Sequence, residues 1–114
     1  MGVSRMLIMF MRIAVAFQVI VGIGFWTGHW AGLRNLHMAV GALFVLALWV
    51  LAGMALSQHR AQRLAAFALV WGVIVLGLGM VQQGILIGDL HWIIRVLHLA
   101  VGIAAMPIAE RLTT

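Results

Sequence analysis

Cysteine is absent from this chain, which excludes disulfides, cysteine-ligated zinc and iron–sulfur clusters. Lysine is missing as well, so all seven basic residues are arginine. Asp89 and Glu110 are the only acidic residues, and they form no acid–base dyad along the sequence. No nucleophile arrangement and no phosphate-binding loop occurs, so a hydrolase or transferase has no support. Proline occurs once, at Pro107, near the end of the last apolar stretch, so no such stretch is broken at its centre. Charged residues make up 8% of the 114, against about 25% in a soluble domain of average composition. A net charge of +5 raises the question of nucleic acid, but the arginines are scattered at the ends of apolar runs instead of forming a basic patch. No nucleic-acid partner is expected.

What the chain has in abundance is apolar sequence, at 66% of all residues. Four runs stand out, roughly Met6–Trp26, Leu36–Leu56, Leu64–Gly84 and Trp92–Ala109. Each approaches the ~20 residues that carry a helix across a bilayer. Helices are the expected spanning form, because lipid offers no partner to exposed backbone groups. The runs are too continuous for the alternation of a membrane barrel. The first is longer than the apolar region of a signal peptide and is followed by no small-x-small cleavage pattern. The expected fold is therefore all-α: one domain over 1–114, with four transmembrane helices in an up-down-up-down bundle. Arg5, Arg12, Arg60, Arg63 and Arg111 fall on one side, and only Arg34 and Arg95 on the other. By the positive-inside rule both termini are cytoplasmic, in the inner membrane of a bacterium. Trp26, Trp30 and Trp92 then mark the outer interface.

The chain also repeats itself. Residues 29–41 read His-Trp-Ala-Gly-Leu-Arg-Asn-Leu-His-Met-Ala-Val-Gly, and residues 91–102 read His-Trp-Ile-Ile-Arg-Val-Leu-His-Leu-Ala-Val-Gly. With one gap, His29/His91, Trp30/Trp92, Arg34/Arg95, Leu36/Leu97, His37/His98, Ala39/Ala100, Val40/Val101 and Gly41/Gly102 coincide. Apolar sequences resemble each other readily through Leu, Val and Ala, but a matched His, Trp, Arg and second His does not arise that way. The similarity extends weakly upstream, from Val19–Gly24 to Val73–Gly79. Two parallel helical hairpins are expected, about 6–56 and 64–109, related by an axis along the membrane normal. The second hairpin reaches its His-Trp segment after a longer stretch, so the two outer loops should differ.

His37 and His98 thus stand at equivalent depths in the apolar runs. An ionisable residue inside a membrane is a functional hypothesis by default. Imidazole is a common haem ligand, and facing helices of a bundle are a common place for such a site. Neighbouring helices lie 8–10 Å apart and diagonal ones about 12–14 Å, a gap that holds a flat macrocycle between two imidazoles. Gly41 and Gly102, four residues on, share the histidines' helical face and spare a porphyrin edge a side chain. Arg34 and Arg95, three residues before, are placed to pair with propionates. His29 and His91, further out, are candidates for the same role. Each feature also has a structural reading. The glycines serve close helix packing, the arginines snorkel, and a membrane histidine can be a hydrogen-bonded core residue. His29 and His91 can be interfacial residues, propionate contacts, a quinone head-group site or ligands of a second metal. Gln18, Gln82 and Gln83 suit interhelical hydrogen bonds first and a quinone second. His59 has no repeat partner and is expected to be solvated, and the eight methionines fill core space.

Four helices with His37 and His98 near one face, and their Arg and Gly companions, resemble the small four-helix b-type membrane cytochromes of the cytochrome b561-like group. That resemblance covers the whole chain in architecture. It implies a haem b ligated by His37 and His98. Members of the group often carry two haems on four histidines, one near each face, and this chain lacks an inner pair. One haem near the outer face is therefore expected, with electron exchange to or from a quinol or a redox partner. Two protein ligands on the iron argue for electron transfer and against oxygen binding. The competing reading is an accessory subunit of a larger respiratory or photosynthetic complex, holding haem or a chlorophyll-type pigment without turnover. A third is a haem or small-molecule carrier or a transporter fragment.

Overall fold

The structure, a computed structural model, describes residues 2–84, 86 and 88–114. Four helices make up almost all of it: α1 (Val3–Trp26), α2 (Arg34–Ser57), α3 (Gln62–Val81) and α4 (His91–Leu112). Single 3-10 turns, Ala31–Leu33 and Gln82–Gly84, lie in the two connections at the histidine-bearing end. There is no strand among the described residues. All four helices are long and apolar enough to cross a membrane, so the chain is a multi-pass, all-α membrane protein. The expected boundaries agree with the observed ones to within a few residues. The helices run longer because Arg34, Gln62, His91 and Ser57 continue the backbone hydrogen bonding past the apolar residues.

Each helix packs on its neighbour in sequence, α1 also touches α4, and α2 meets α4 across the middle. The bundle is 46 Å long and only 18 Å through its thinnest dimension. Small residues allow the flattening. Ala52 and Ala55 on α2, Ala65 and Ala68 on α3, and Ala105 and Ala109 on α4 are all wholly buried, where a larger side chain would hold the backbones apart. Trp49 of α2 donates from Nε1 to the Leu69 carbonyl of α3 (3.1 Å), and Trp71 of α3 to the Val101 carbonyl of α4 (2.9 Å). Gly72 makes the first of these possible, since any Cβ there would collide with the Trp49 indole.

The core is one-sided. Ile8, Met11 and Ala14 of α1, Val45, Leu48, Leu51, Ala52 and Ala55 of α2, Ala65 and Ala68 of α3, and Ala105, Ala109 and Leu112 of α4 are buried in the half nearer the chain termini. Toward the other end burial thins to Val21 and Gly24 of α1, Val75 of α3 and Ile94 of α4 among the described residues, with Phe44, Gly72 and Val101 near mid-length. That end carries the histidines.

The end with the termini is tied by polar contacts. Arg12 of α1 forms a two-pronged ion pair with Glu110 of α4, at 2.8 and 3.0 Å. Arg60 donates to the Leu112 carbonyl at the end of α4 (2.8 Å). It is presented from a turn in which His59 (φ 54°) and Ala61 (φ 44°) both hold left-handed backbone.

Candidate functional site

The interior stripe of α2 reads Arg34, His37, Gly41, Phe44, Leu48, Leu51, Ala55, a strict alternation of three- and four-residue steps that keeps one face of a helix. From Phe44 on, every member of the stripe is buried. His37 lies seven residues before Phe44, about two turns above the last apolar contact. On α4 the stripe is His91, Ile94, His98, Val101, Ala105, Ala109, Leu112. Both histidines therefore occupy interior positions on their helices, in the more sparsely packed half of the bundle.

Their surroundings match. Both rings are half-buried. The Nδ1 atom of each is enclosed and has no hydrogen-bond partner among the described residues. A buried polar atom left without a partner typically costs 1–3 kcal/mol, and the great majority of such atoms in proteins are paired. Two at equivalent positions of a repeat ask for a ligand that takes an imidazole nitrogen.

Each ring also rests against a glycine of the preceding helix. A Cβ on Gly22 of α1 would stand 3.9 Å from His37 Cε1. A Cβ on Gly79 of α3 would stand 3.2 Å from His98 Cε1 and 3.7 Å from its Nε2. The Phe25 ring meets His37 edge-on at 5.2 Å. Reasoning along each helix pointed to Gly41 and Gly102 instead. The upstream similarity between Val19–Gly24 and Val73–Gly79 gives no signal for this pair, because it matches Gly22 with Gly77 and Gly24 with Gly79.

The remaining residues divide. Gly41 opens a path for Gln18, whose Nε2 donates to the His37 carbonyl (2.8 Å), so Gln18 makes the interhelical bond expected of it. A Cβ on Gly41 would lie 2.9 Å from that nitrogen, whereas one on Gly102 would meet nothing within 4 Å among the described residues. Arg34, at the start of α2, donates to Gln83 Oε1 (2.8 Å), a bond that joins the two repeats above the histidines. Arg95 is exposed and lines a cleft of about 430 Å³ with Gln83, Gly88, Asp89, His91 and Trp92. His29 and Trp30 line a second cleft, of about 420 Å³, with Ile20, Ile23, Gly24 and Thr27. The repeat thus places one concavity beside each His-Trp pair. His59 is exposed, near Gln62, at the opposite end of the bundle.

The donor set is imidazole nitrogen, with a glycine of the preceding helix beside each ring and Arg34 and Arg95 nearer the helix starts. It suits a flat metal macrocycle with acidic substituents. Among known proteins, no family model, no curated sequence and no solved structure matches this chain.

Proposed function

We propose that this protein is a membrane b-type cytochrome that passes electrons through one haem b held by His37 and His98. The observation that supports the reading is the pair of half-buried imidazoles, each with an enclosed and unpartnered Nδ1, at equivalent positions of the repeat. His37 and His98 would hold the haem iron, and the group would supply one-electron chemistry there.

In this reading the chain's own residues supply the rest. Gly79 keeps the space beside the His98 ring clear, and Gly102 keeps a further wall free. Gln18 fixes the backbone at His37. Arg34 and Arg95 stand on the outward side, where guanidinium groups pair with carboxylates. Phe25 shields the His37 ring edge. The resemblance to the cytochrome b561-like group is part of the same proposal, as is a bacterial inner-membrane location with the termini inside and the histidine end outside. The electron partner is a quinol or a redox protein at that outer end, with other membrane subunits as further partners.

The test is the absorption spectrum of the purified protein beside its His37→Ala and His98→Ala variants. The wild type is expected to give a low-spin, six-coordinate b-type spectrum, and each variant to lose it. Two variants with unchanged low-spin spectra would sink the assignment of both ligands. Far-red absorption in the wild type would replace haem with a chlorophyll-type pigment.

A further inference from the structure

We infer that the cleft beside Trp30 binds the ring of a lipid-borne quinone in both its oxidised and reduced forms, with His29 as the hydrogen-bonding group. The choice of a redox-active occupant rests on the haem reading; the shape and chemistry of the cleft do not.

The cleft is built by a strained turn. Trp30 adopts left-handed backbone (φ 59°, ψ 33°), which a bulky residue rarely holds. Its ring folds back onto α1 at Gly24, where any Cβ would collide with it. The result is a hollow of about 420 Å³ between Ile20, Ile23 and the indole, within the range of small-molecule sites. Ile20 and Ile23 are exposed on the flank of a membrane-crossing helix, so the hollow opens toward lipid.

Thr27 and His29 supply its polarity. Thr27 Oγ1 lies 2.9 Å from His29 Nδ1 and 3.1 Å from both the Ile23 and the Gly24 carbonyl oxygens. A hydroxyl has one proton to give and lone pairs to receive with. In one arrangement the Thr27 hydroxyl donates to Nδ1, so Nε2 carries the ring proton and donates. In the other it turns to a backbone carbonyl and Nδ1–H donates to Oγ1, so Nε2 offers a lone pair. Neither strands a backbone group, because Ile23 and Gly24 already accept from the Thr27 and His29 amides at 3.0 and 2.7 Å. His29 therefore donates to a quinone carbonyl in the first arrangement and accepts the hydroxyl proton of a hydroquinone in the second.

Position selects a redox ligand over a structural lipid. The turn of α1 that lines the hollow with Ile23 and Gly24 presents Gly22 and Phe25 to His37. One helix, about 10 Å across, separates the hollow from the candidate ligand. The cleft of the other repeat, with Asp89, His91 and Arg95, is charged and does not suit an apolar ring.

The experiment is equilibrium binding of decylubiquinone and of decylubiquinol to the full chain in lipid nanodiscs, with absorption spectra of the same samples. The wild type is expected to bind both forms comparably. His29→Ala should weaken both about tenfold, the worth of one hydrogen bond. Thr27→Val leaves an Nδ1–H without a partner, so the imidazole should keep its proton on Nε2 and lose the reduced form several-fold more than the oxidised one. Wild-type affinity for both forms in His29→Ala, or loss of binding in His91→Ala instead, overturns the site. Equal affinities in Thr27→Val overturn its two-way hydrogen bonding. Binding that depends on His29 in a protein without a haem spectrum would overturn the haem reading and leave this site standing.

Discussion

The side-chain amide of Gln18 donates to the backbone carbonyl of His37 across the interface of α1 and α2, at 2.8 Å. A helical carbonyl at that position already serves the N–H four residues on, which belongs to Gly41. The extra bond is possible because Gly41 has no side chain in its path. One polar contact thus fixes the backbone of the residue whose ring carries the site.

That contact comes with a cost, since Gln18 Oε1 is enclosed with no partner among the described residues. Gln18→Leu removes a bond worth about 1 kcal/mol and relieves an unpaired oxygen of similar cost, so the net change should stay under roughly 1 kcal/mol. Gln18→Glu faces the His37 carbonyl with an acceptor in place of a donor and should lose about 2 kcal/mol or more. Unfolding midpoints in detergent with added denaturant distinguish the two. A leucine variant as damaged as the glutamate one would refute this account.

The two repeat glycines should behave differently. A Cβ on Gly41 meets Gln18 Nε2 at 2.9 Å, and one on Gly102 meets nothing within 4 Å among the described residues. Gly41→Ala should cost about 1–2 kcal/mol, most of it recovered in the Gln18→Ala background because the two changes share one contact. Gly102→Ala should leave unfolding unchanged, yet lower haem content if the space beside it belongs to the cofactor. Equal unfolding losses for both glycines would contradict the asymmetry.

What could be read in advance follows from what periodicity encodes. The four spans, and the placing of His37 and His98 on interior stripes, depend only on hydropathy and on spacing within one helix. The repeat gave their equivalence. Contacts between helices depend on how each helix is rotated against its neighbour, and that is set by packing. Gly22 and Gly79 therefore stayed hidden behind Gly41 and Gly102, although both lie in the weakly repeated upstream segments. Arg34 could be placed at the histidine-bearing end, but its bond to Gln83 required the turn Gln82–Gly84. The left-handed residues His59 and Ala61 carry no glycine that would announce them.

Those two residues lead to a prediction at the opposite end. Arg60 closes α4 by donating to the Leu112 carbonyl, one of the acceptors that a helix end leaves unpaired. Arg60→Ala should cost about 1 kcal/mol. Ala61→Gly should gain up to about 1 kcal/mol by relieving left-handed strain at φ 44°. Opposite shifts of the unfolding midpoint are expected. A destabilised Ala61→Gly would show that the turn is not strained.

The Arg12–Glu110 pair crosses from α1 to α4 with both side chains partly exposed on the flank of the bundle. Arg12 lies nine residues into α1, and its side chain leans back toward the start of the helix, where Glu110 stands near the end of α4. In an apolar surrounding a lone charge is worse than none. Glu110→Gln and Arg12→Leu should each lower the unfolding midpoint, and Arg12→Leu with Glu110→Leu should recover most of the loss. A double variant less stable than both single variants would mean that the charges act separately.

The two histidine pockets differ in one measurable way. A Cβ at position 79 would press on His98 at 3.2 Å, tighter than an ordinary contact, while one at position 22 would rest 3.9 Å from His37 at normal van der Waals distance. Close-packed surroundings transmit a shift of a few tenths of an ångström to the neighbouring ring. On the haem proposal, Gly79→Ala should therefore turn the His98 imidazole and change the absorption spectrum and the reduction potential, whereas Gly22→Ala should leave both as they are. Gly79→Ser adds bulk and should act more strongly in the same direction. If the Gly22 variant moves the spectrum and the Gly79 variant does not, the ring that carries the tighter contact has been misassigned, and with it the wall beside His98.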